Sequence, residues 1–399
     1  MISNKIALNQ KLDELRKTYI QVREYTEKIC APLEIEDYVT QPIVDISPPK
    51  WHLAHTTWFY ETFILSAHLP GYKVFHPRYS YIFNSYYNNV GERVLRHHRG
   101  NLSRPTVKEV YAYRKYVDNA MMTFFDRFEN EEAPVWYDAL QLGLQHEQQH
   151  QELLWTDIKY LLGHNPLYPK YSDQLPWEEK LIDASSTSFI KMDKGDYSIG
   201  YKGEGFCFDN ELDRHQFHLE EYSIADQLVS NGEYLEFIED GAYSNFNLWL
   251  DEGWHWLNNN KIDAPMYWNK LDGEWMNYTL KGLRSINKNE AVKHVSFYEG
   301  FAFAHWKGMR LPSEQEWEAA NDRFDWGERW EITRSAYLPY PGFKTAKGAI
   351  GEYNGKFMVN QMAFRGSSVV TSPNHSRPTY RNFFHPQLQW QFTGIRLAK

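Results

Sequence analysis

The sequence has 399 residues, of which 42% are hydrophobic and 24% charged, a composition that excludes a disordered tail and favours two or three domains. A mean hydropathy of −0.66 with no long apolar run argues against a membrane-spanning helix, and the net charge of −9 argues against non-specific nucleic-acid binding. The N-terminal residues lack the apolar stretch of a secretory signal, so we expect a cytoplasmic protein.

The first 165 residues predict a helical domain. Apolar residues recur every three or four positions over residues 8–29, 105–129 and 134–162, which is the period of an amphipathic helix. A fourth helix is predicted over residues 48–67, where two prolines suit the first turn. Four long helices in about 160 residues are typical of an up-and-down bundle.

The composition changes after this helical part. Residues 166–185 contain three prolines and no sustained periodicity, which predicts a linker. Over residues 186–399, short alternating runs broken by Gly, Asn and Asp predict short strands and turns. Two helices are predicted at 230–240 and 313–322, each after a Ser-x-x-Glu capping box. The predicted fold class is therefore α+β.

The strongest local sign of chemistry is the sequence HEQQH at residues 146–150. His146 and His150 lie one helical turn apart on the same face, so both imidazoles can reach one metal ion. The chain has only two cysteines, so a metal site must use His, Asp or Glu. His52 and His55, on the predicted helix 48–67, offer a third nitrogen, but their spacing does not decide which of them binds.

The same five residues also match the HExxH motif of zinc proteases, in which Glu147 would be the general base. That motif needs a third ligand downstream on a mixed scaffold, whereas here it lies late in a predicted helical bundle. A chance pair of histidines on a solvated helix face is the other alternative. Three neutral nitrogens would leave a divalent metal its full charge, which favours a thiolate and O2 at the open positions.

A basic run follows a pair of tyrosines, Tyr86 and Tyr87. Because the rest of the chain has no basic excess, a small carboxylate that pairs with guanidinium groups is a better partner than nucleic acid. A solvated charged loop beside ordinary core aromatics is the alternative. The run consists of Arg93, Arg96, His97, His98, Arg99 and Arg104.

Eight segments resemble, in the same order, the iron(II)-dependent sulfoxide synthases of ergothioneine and ovothiol biosynthesis. The resemblance extends from about residue 10 to the C-terminus. It implies a DinB-like four-helix bundle over residues 1–165, and a domain over 186–399 that is similar to the formylglycine-generating enzyme and related to the C-type lectins. The segments are WHLAHTTWFYETFIL, FNSYYNNVGERVLRHHRGNLSRPT, LQHEQQHQELL, FDNELDRHQFHL, RLPSEQEWEAA, YLPYPGF, GEYNGKFMVNQ and RPTYRNFF.

The resemblance implies which residues form the site. The family's iron(II) ligands correspond to His55, His146 and His150, and His52 becomes a neighbour of the metal. Gln149 and Asn382 correspond to residues that contact the histidine-derived substrate.

Two further sets of residues indicate the thiol substrate. Phe383, Phe384 and Leu388 stand where some members have a Trp, an Asp and an Arg, and the last two of those hold a glutamyl group. Members with RNFF instead use free cysteine, and Tyr86 and Tyr87 match their active-site tyrosines, one of which is expected to supply a proton or hydrogen atom. Our best candidates for binding the cysteine carboxylate are Arg93 and Arg96.

The implied activity is an O2-dependent oxidation that joins the sulfur of cysteine to an imidazole carbon of hercynine (Nα-trimethylhistidine) and gives a sulfoxide. The partners would be these small molecules alone, with no nucleic acid and no membrane. Close alternatives are an ovothiol-type reaction on histidine and a selenium-inserting relative. A metal-binding or thiol-transferase protein of the DinB type without redox chemistry is the alternative from another class.

One segment departs from the family pattern. The family usually has Gly-Asn-Val-Trp-Glu-Trp-Thr before YLPYPGF, whereas residues 327–333 read GERWEIT. The Asn and the second Trp are lost, so we expect an altered local structure in the second domain.

Overall fold

The computed structural model describes residues 2–85, 87, 91–128, 135–346, 351 and 354–399. The chain divides into two compact units, Met1–Leu162 and Gly163–Lys399. Within the described residues, no helix has both the length and the apolar character needed to cross a membrane.

The first unit is helical, and all four predicted long helices are present. The predicted helix 48–67 is observed as α2 and α3 joined by a π-helical turn at Glu61–Leu65. The helices are α1 (Ile2–Cys30), α2 (Pro49–Tyr60), α3 (Ser66–His68), α4 (Tyr79–Phe83), α5 (Val107–Phe128) and α6 (Tyr137–Gly163).

Helix α2 lies at the centre of this unit, because every residue from Pro49 to Tyr60 is buried. A helix that is buried on all sides must satisfy its polar side chains inside the protein. Among these, Thr57 accepts from the Arg23 guanidinium at 2.9 Å, and Arg114 donates to the Leu53 carbonyl at 3.1 Å. The bundle core therefore contains a hydrogen-bonded polar centre as well as apolar packing.

Over its described residues, the second unit combines short strands with four α-helices. A four-stranded sheet has the order β10-β9-β8-β11, a three-stranded sheet has the order β5-β6-β7, and β1-β4 and β2-β3 form two-stranded antiparallel sheets. Only the β8–β11 pair is parallel among these. The strands are β1 (Phe189–Met192), β2 (Gly195–Ile199), β3 (His215–Leu219), β4 (Tyr222–Ala225), β5 (Trp268–Leu271), β6 (Glu274–Thr279), β7 (Gly282–Ser285), β8 (Trp330–Ala336), β9 (Met362–Gly366), β10 (Asn382–Phe384) and β11 (Thr393–Gly394).

The two capping boxes that the sequence predicts are both formed. Ser230 and Ser313 each accept from the backbone N–H three residues later, while the glutamate at that position accepts from the Ser backbone. They open α7 (Asn231–Glu239) and α10 (Glu314–Ala320). The other two helices are α8 (Asp251–Asn260) and α9 (Phe297–Trp306).

The segment 166–185, predicted as a linker, lies within the second unit, and Glu179 forms two ion pairs there. Its carboxylate lies 2.5 Å from the Arg329 guanidinium and 2.6 Å from the Lys293 ammonium, and both cations are buried. Burial would raise the pKa of Glu179, but the charges of Arg329 and Lys293 outweigh it and hold the pKa well below its usual value. Arg329, which belongs to the divergent stretch 327–333, thus has a structural partner.

Removing the Arg329 charge is expected to destabilise the second unit. In Arg329→Met, Glu179 would keep Lys293 but lose its closer cation, and we expect the free energy of unfolding to fall by about 3 kcal/mol. The exposed pair between Lys180 and Asp325 offers a matched control, because Lys180→Met should cost less than about 1 kcal/mol. Urea denaturation checks both values, and equal losses in the two variants would contradict a structural role for Arg329.

Candidate metal centre

Helices α2 and α6 bring three buried histidines together. His55 comes from α2, and His146 and His150 come from one face of α6. One ring nitrogen of each lies within 4.8 Å of the others, and the Nε2 atoms of His55 and His146 lie 3.0 Å apart. Three convergent nitrogens at such separations can hold a single metal ion.

The hydrogen bonds of these rings indicate which nitrogens face the centre. The Phe83 carbonyl can only accept, so the Nδ1 of His55, 2.5 Å away, carries the proton and leaves Nε2 as the ligand atom. The Nδ1 of His150 lies 2.7 Å from the Nδ1 of His52, which leaves the Nε2 of His150 for a metal. Ligand orientation by a second hydrogen bond is usual at protein metal sites.

The electrostatics of the cluster keep all three rings neutral. Burial and the neighbouring imidazoles lower the pKa of His55 and His150 well below the ordinary value. Burial lowers the pKa of His146 to about 3, with a smaller contribution from His52. Neutral imidazole is the form that binds metal, and a buried set of three nitrogen donors suits a divalent transition metal such as Fe(II).

Two tryptophan rings of α2 stack with the imidazole of His55. Trp51 stacks on His55 with centroids 4.4 Å apart and an interplanar angle of 14°, and Trp58 lies 5.5 Å away at 16°. The guanidinium carbon of Arg99 lies 3.4 Å from the Trp51 ring centroid, and Arg99 also donates to the Ser47 hydroxyl at 2.8 Å. The Arg99 guanidinium and the His55 imidazole thus both pack on the ring of Trp51.

The structure singles out Arg99 from the basic run, which sequence reasoning did not. Arg99 is buried, whereas Arg93 is half-buried and Arg96 is exposed and donates to the Asp45 carbonyl. The available signal was the Arg-x-x-Arg-x-x-Arg spacing, which puts Arg99 in register with the two predicted arginines. Their predicted contact with a thiol carboxylate stays a prediction.

Of the two predicted tyrosines, Tyr87 is buried near the cluster and Tyr86 lies outside the described residues. The Tyr87 ring centroid lies 6.3 Å from that of His146 and 5.6 Å from that of Trp58. Gln149, the predicted substrate contact on α6, is half-buried.

Glu147 lies between the two histidines of α6 in sequence, but its carboxylate bonds to two buried arginines and a threonine. Its carboxylate accepts from Arg23 at 3.1 Å, from Arg114 at 3.2 Å and from the Thr26 hydroxyl at 2.7 Å. Burial would raise the pKa of Glu147, but the charges of Arg23 and Arg114 outweigh it and lower the pKa. A zinc-protease base must be free to take a proton beside the metal, so this geometry argues against that interpretation.

The remaining predicted site residues belong to the second unit. Asn382, Phe383 and Phe384 form β10, an outer strand of the four-stranded sheet, and are half-buried. The Phe383 ring stacks on Tyr337 at 4.2 Å and 11°, and the Asn382 side-chain carbonyl accepts from the next backbone N–H at 2.9 Å. Phe384 packs edge-to-face on Phe364 at 5.1 Å.

Comparison with known protein families divides the chain into two parts, which correspond to the two compact units of the structure. Residues 18–154 match the DinB superfamily, and residues 179–333 match the sulfatase-modifying factor enzyme 1-like domain. The predicted α+β class, a DinB-like bundle followed by a domain like the formylglycine-generating enzyme, is confirmed. All three clustered histidines lie within the DinB match.

Three similar relatives carry the same name. A hercynine oxygenase of Mycolicibacterium smegmatis is 26% identical over 88% of this chain and 91% of its own length. That of Mycolicibacterium thermoresistibile is 25% identical over 96% and 94%, and that of Mycobacterium tuberculosis is 28% identical over 49% and 56%. The chain is therefore similar to proteins named hercynine oxygenase over nearly its whole length.

The predicted resemblance to the sulfoxide synthases of ergothioneine biosynthesis is thereby confirmed. The three histidine nitrogens of the buried cluster suit the metal that the resemblance implies. The likeness covers both units, because the two Mycolicibacterium relatives match nearly the whole chain.

Proposed function

We propose that this protein is an Fe(II)- and O2-dependent oxidoreductase that joins the sulfur of cysteine to an imidazole carbon of hercynine. One C–S bond forms as the thiol S–H and the imidazole C–H are lost, and O2 supplies one oxygen atom to the sulfoxide and the other to water. The observation that carries this proposal is the buried, neutral three-histidine cluster in a chain whose near full-length relatives are named hercynine oxygenase.

The proposed ligands of Fe(II) are His55, His146 and His150. When bound, the ion supplies a Lewis acid that lowers the pKa of a thiol and an electron source for O2. The protein holds the His55 ring in place through the Phe83 carbonyl and the Trp51 stack, and the His150 ring through its contact with His52.

Other residues of the chain are proposed to bind and orient the substrates. Arg93 and Arg96 would pair with the carboxylate of cysteine, because a guanidinium binds a carboxylate with two parallel hydrogen bonds. Gln149 and Asn382 are the proposed contacts of the imidazole substrate. Holding both reactants in one site replaces an intermolecular collision with a positioned step.

Anaerobic titration with Fe(II), followed by O2 uptake with cysteine and either hercynine or histidine, tests the proposed function. We expect one Fe(II) per chain, O2 uptake that depends on the thiol, and faster turnover with hercynine, with the sulfoxide identified by mass. Faster turnover with histidine would indicate the ovothiol-type reaction. Binding of Fe(II) without thiol-dependent O2 uptake would reduce the protein to a metal-binding module.

We also predict that free cysteine is preferred over γ-glutamylcysteine. Phe384 and Leu388 offer no charge to a glutamyl group, and burying its unpaired carboxylate and ammonium costs several kcal/mol by order of magnitude. The ratio of kcat/KM values should therefore favour cysteine by about tenfold or more. The double variant Phe384→Asp with Leu388→Arg should narrow this ratio, and equal values for the two thiols in the unaltered protein would contradict the prediction.

A further inference from the structure

A chain of hydrogen bonds leads from His150 to a buried carboxylate. The Nδ1 of His150 lies 2.7 Å from the Nδ1 of His52, and the Nε2 of His52 lies 2.9 Å from an Asp157 oxygen. All three side chains are buried. The same Asp157 oxygen accepts from the Ser47 backbone N–H at 2.9 Å, so the segment before α2 holds the carboxylate in place.

Only one direction of donation along these hydrogen bonds leaves His150 with a lone pair at Nε2 for a metal. The Asp157 carboxylate only accepts, so the Nε2 of His52 carries a proton and donates it. A metal ligand must be unprotonated at the ligating atom, so metal binding at the Nε2 of His150 puts the single proton of that ring on its Nδ1. The Nδ1 of His150 then donates to the Nδ1 of His52, which accepts.

His52 itself has no nitrogen left to offer. Both of its ring nitrogens have partners, His150 on one side and Asp157 on the other. This explains why the cluster of three contains His55 and not His52, although both lie on α2 three residues apart.

We propose that His52, held by Asp157, is a positioning residue that fixes the ring orientation and the tautomer of His150. Asp157 lies two turns beyond His150 on α6 and His52 lies on α2, so this link also ties the two ligand-bearing helices together. The inference rests on the proposed metal site and adds to it the two residues behind one ligand.

The test compares two replacements of His52 in the full-length protein with Co²⁺ as a spectroscopic probe. In His52→Phe the ring shape is kept but the acceptor is lost, and we expect the Kd for Co²⁺ to rise by roughly 10- to 100-fold with a changed visible spectrum. In His52→Asn the side-chain carbonyl reaches the position of Nδ1, so most of the affinity should return. Thermal unfolding of the metal-free variants controls for folding.

Equal affinities in the Phe variant and the unaltered protein would overturn the inference, as would equal losses in Phe and Asn. If His52→Phe fails to fold, His52→Gln takes its place, because its amide reaches towards Asp157 but leaves no acceptor at the Nδ1 position. Its affinity should then fall below that of His52→Asn, and equal affinities overturn the inference. If the unaltered protein binds neither Co²⁺ nor Fe(II), the proposed function and this inference fail together, whereas binding unaffected by His52 defeats the inference alone.

Discussion

Replacement of His146 by alanine is expected to abolish Fe(II) binding. The three ligand rings form a nearly equilateral triangle, in which the centroid of His146 lies 4.8 Å from that of His55 and 4.6 Å from that of His150. Its removal leaves two nitrogens, so the loss of affinity should exceed the roughly 10- to 100-fold that follows loss of an outer hydrogen-bond partner. Metal content after gel filtration, together with a Kd from anaerobic titration, measures the effect.

Two comparisons make this result specific. His55→Ala and His150→Ala should behave in the same way, whereas alanine at the exposed His98 of the same unit should leave metal binding unchanged. Thermal unfolding without metal separates loss of a ligand from loss of the fold, since removing a buried ring also leaves a cavity. Full iron occupancy in His146→Ala would remove that residue from the ligand set.

Most of the helical unit could be predicted from the sequence because three of its four long helices show an amphipathic pattern. Apolar residues at three- and four-residue spacing predicted α1, α5 and α6; the ends of α5 and α6 lie within three residues of the expected ones, whereas α1 begins six residues earlier than expected. Helix α9 escaped prediction, although Ser296 and Glu299 form a capping box of the same kind as the two that were found. Its sequence, FYEGFAFAHW, is apolar on most sides, so a periodic pattern is absent.

The candidate site could be predicted only in part. The spacing of His146 and His150 identified a metal-binding face, because two positions on one helix face are fixed by helix geometry. The choice between His52 and His55 depends on which of them packs towards α6 and which has other partners, and this is a tertiary property. The contact between His52 and Asp157, 105 positions apart in the chain, leaves no mark in the local pattern.

The roles of Glu147 and Arg329 also could not be predicted from the local sequence. Glu147 matches a general-base motif in sequence, yet the buried guanidinium of Arg23 is its partner in the bundle. Arg329 stands at a divergent position, and its partner Glu179 lies 150 residues earlier in a segment without periodicity. Charged partners at such separations follow from the fold, so their roles could be recognised only once the fold was known.

The hydroxyl of Tyr87 is expected to decide what the enzyme makes, because its ring lies 6.3 Å from that of His146. Without a proton or hydrogen-atom donor, cysteine and O2 can still combine to cysteine sulfinate without the imidazole substrate. We expect the double change Tyr86→Phe with Tyr87→Phe to keep O2 uptake but lower the ratio of sulfoxide to sulfinate by about 100-fold, the contribution typical of general acid catalysis.

The two single variants show which tyrosine is the donor. Tyr38→Phe is the control for loss of a phenol elsewhere in the bundle, because the buried Tyr38 hydroxyl donates to the Cys30 carbonyl. An unchanged ratio at an unchanged rate would make Tyr87 a core aromatic packed on Trp58.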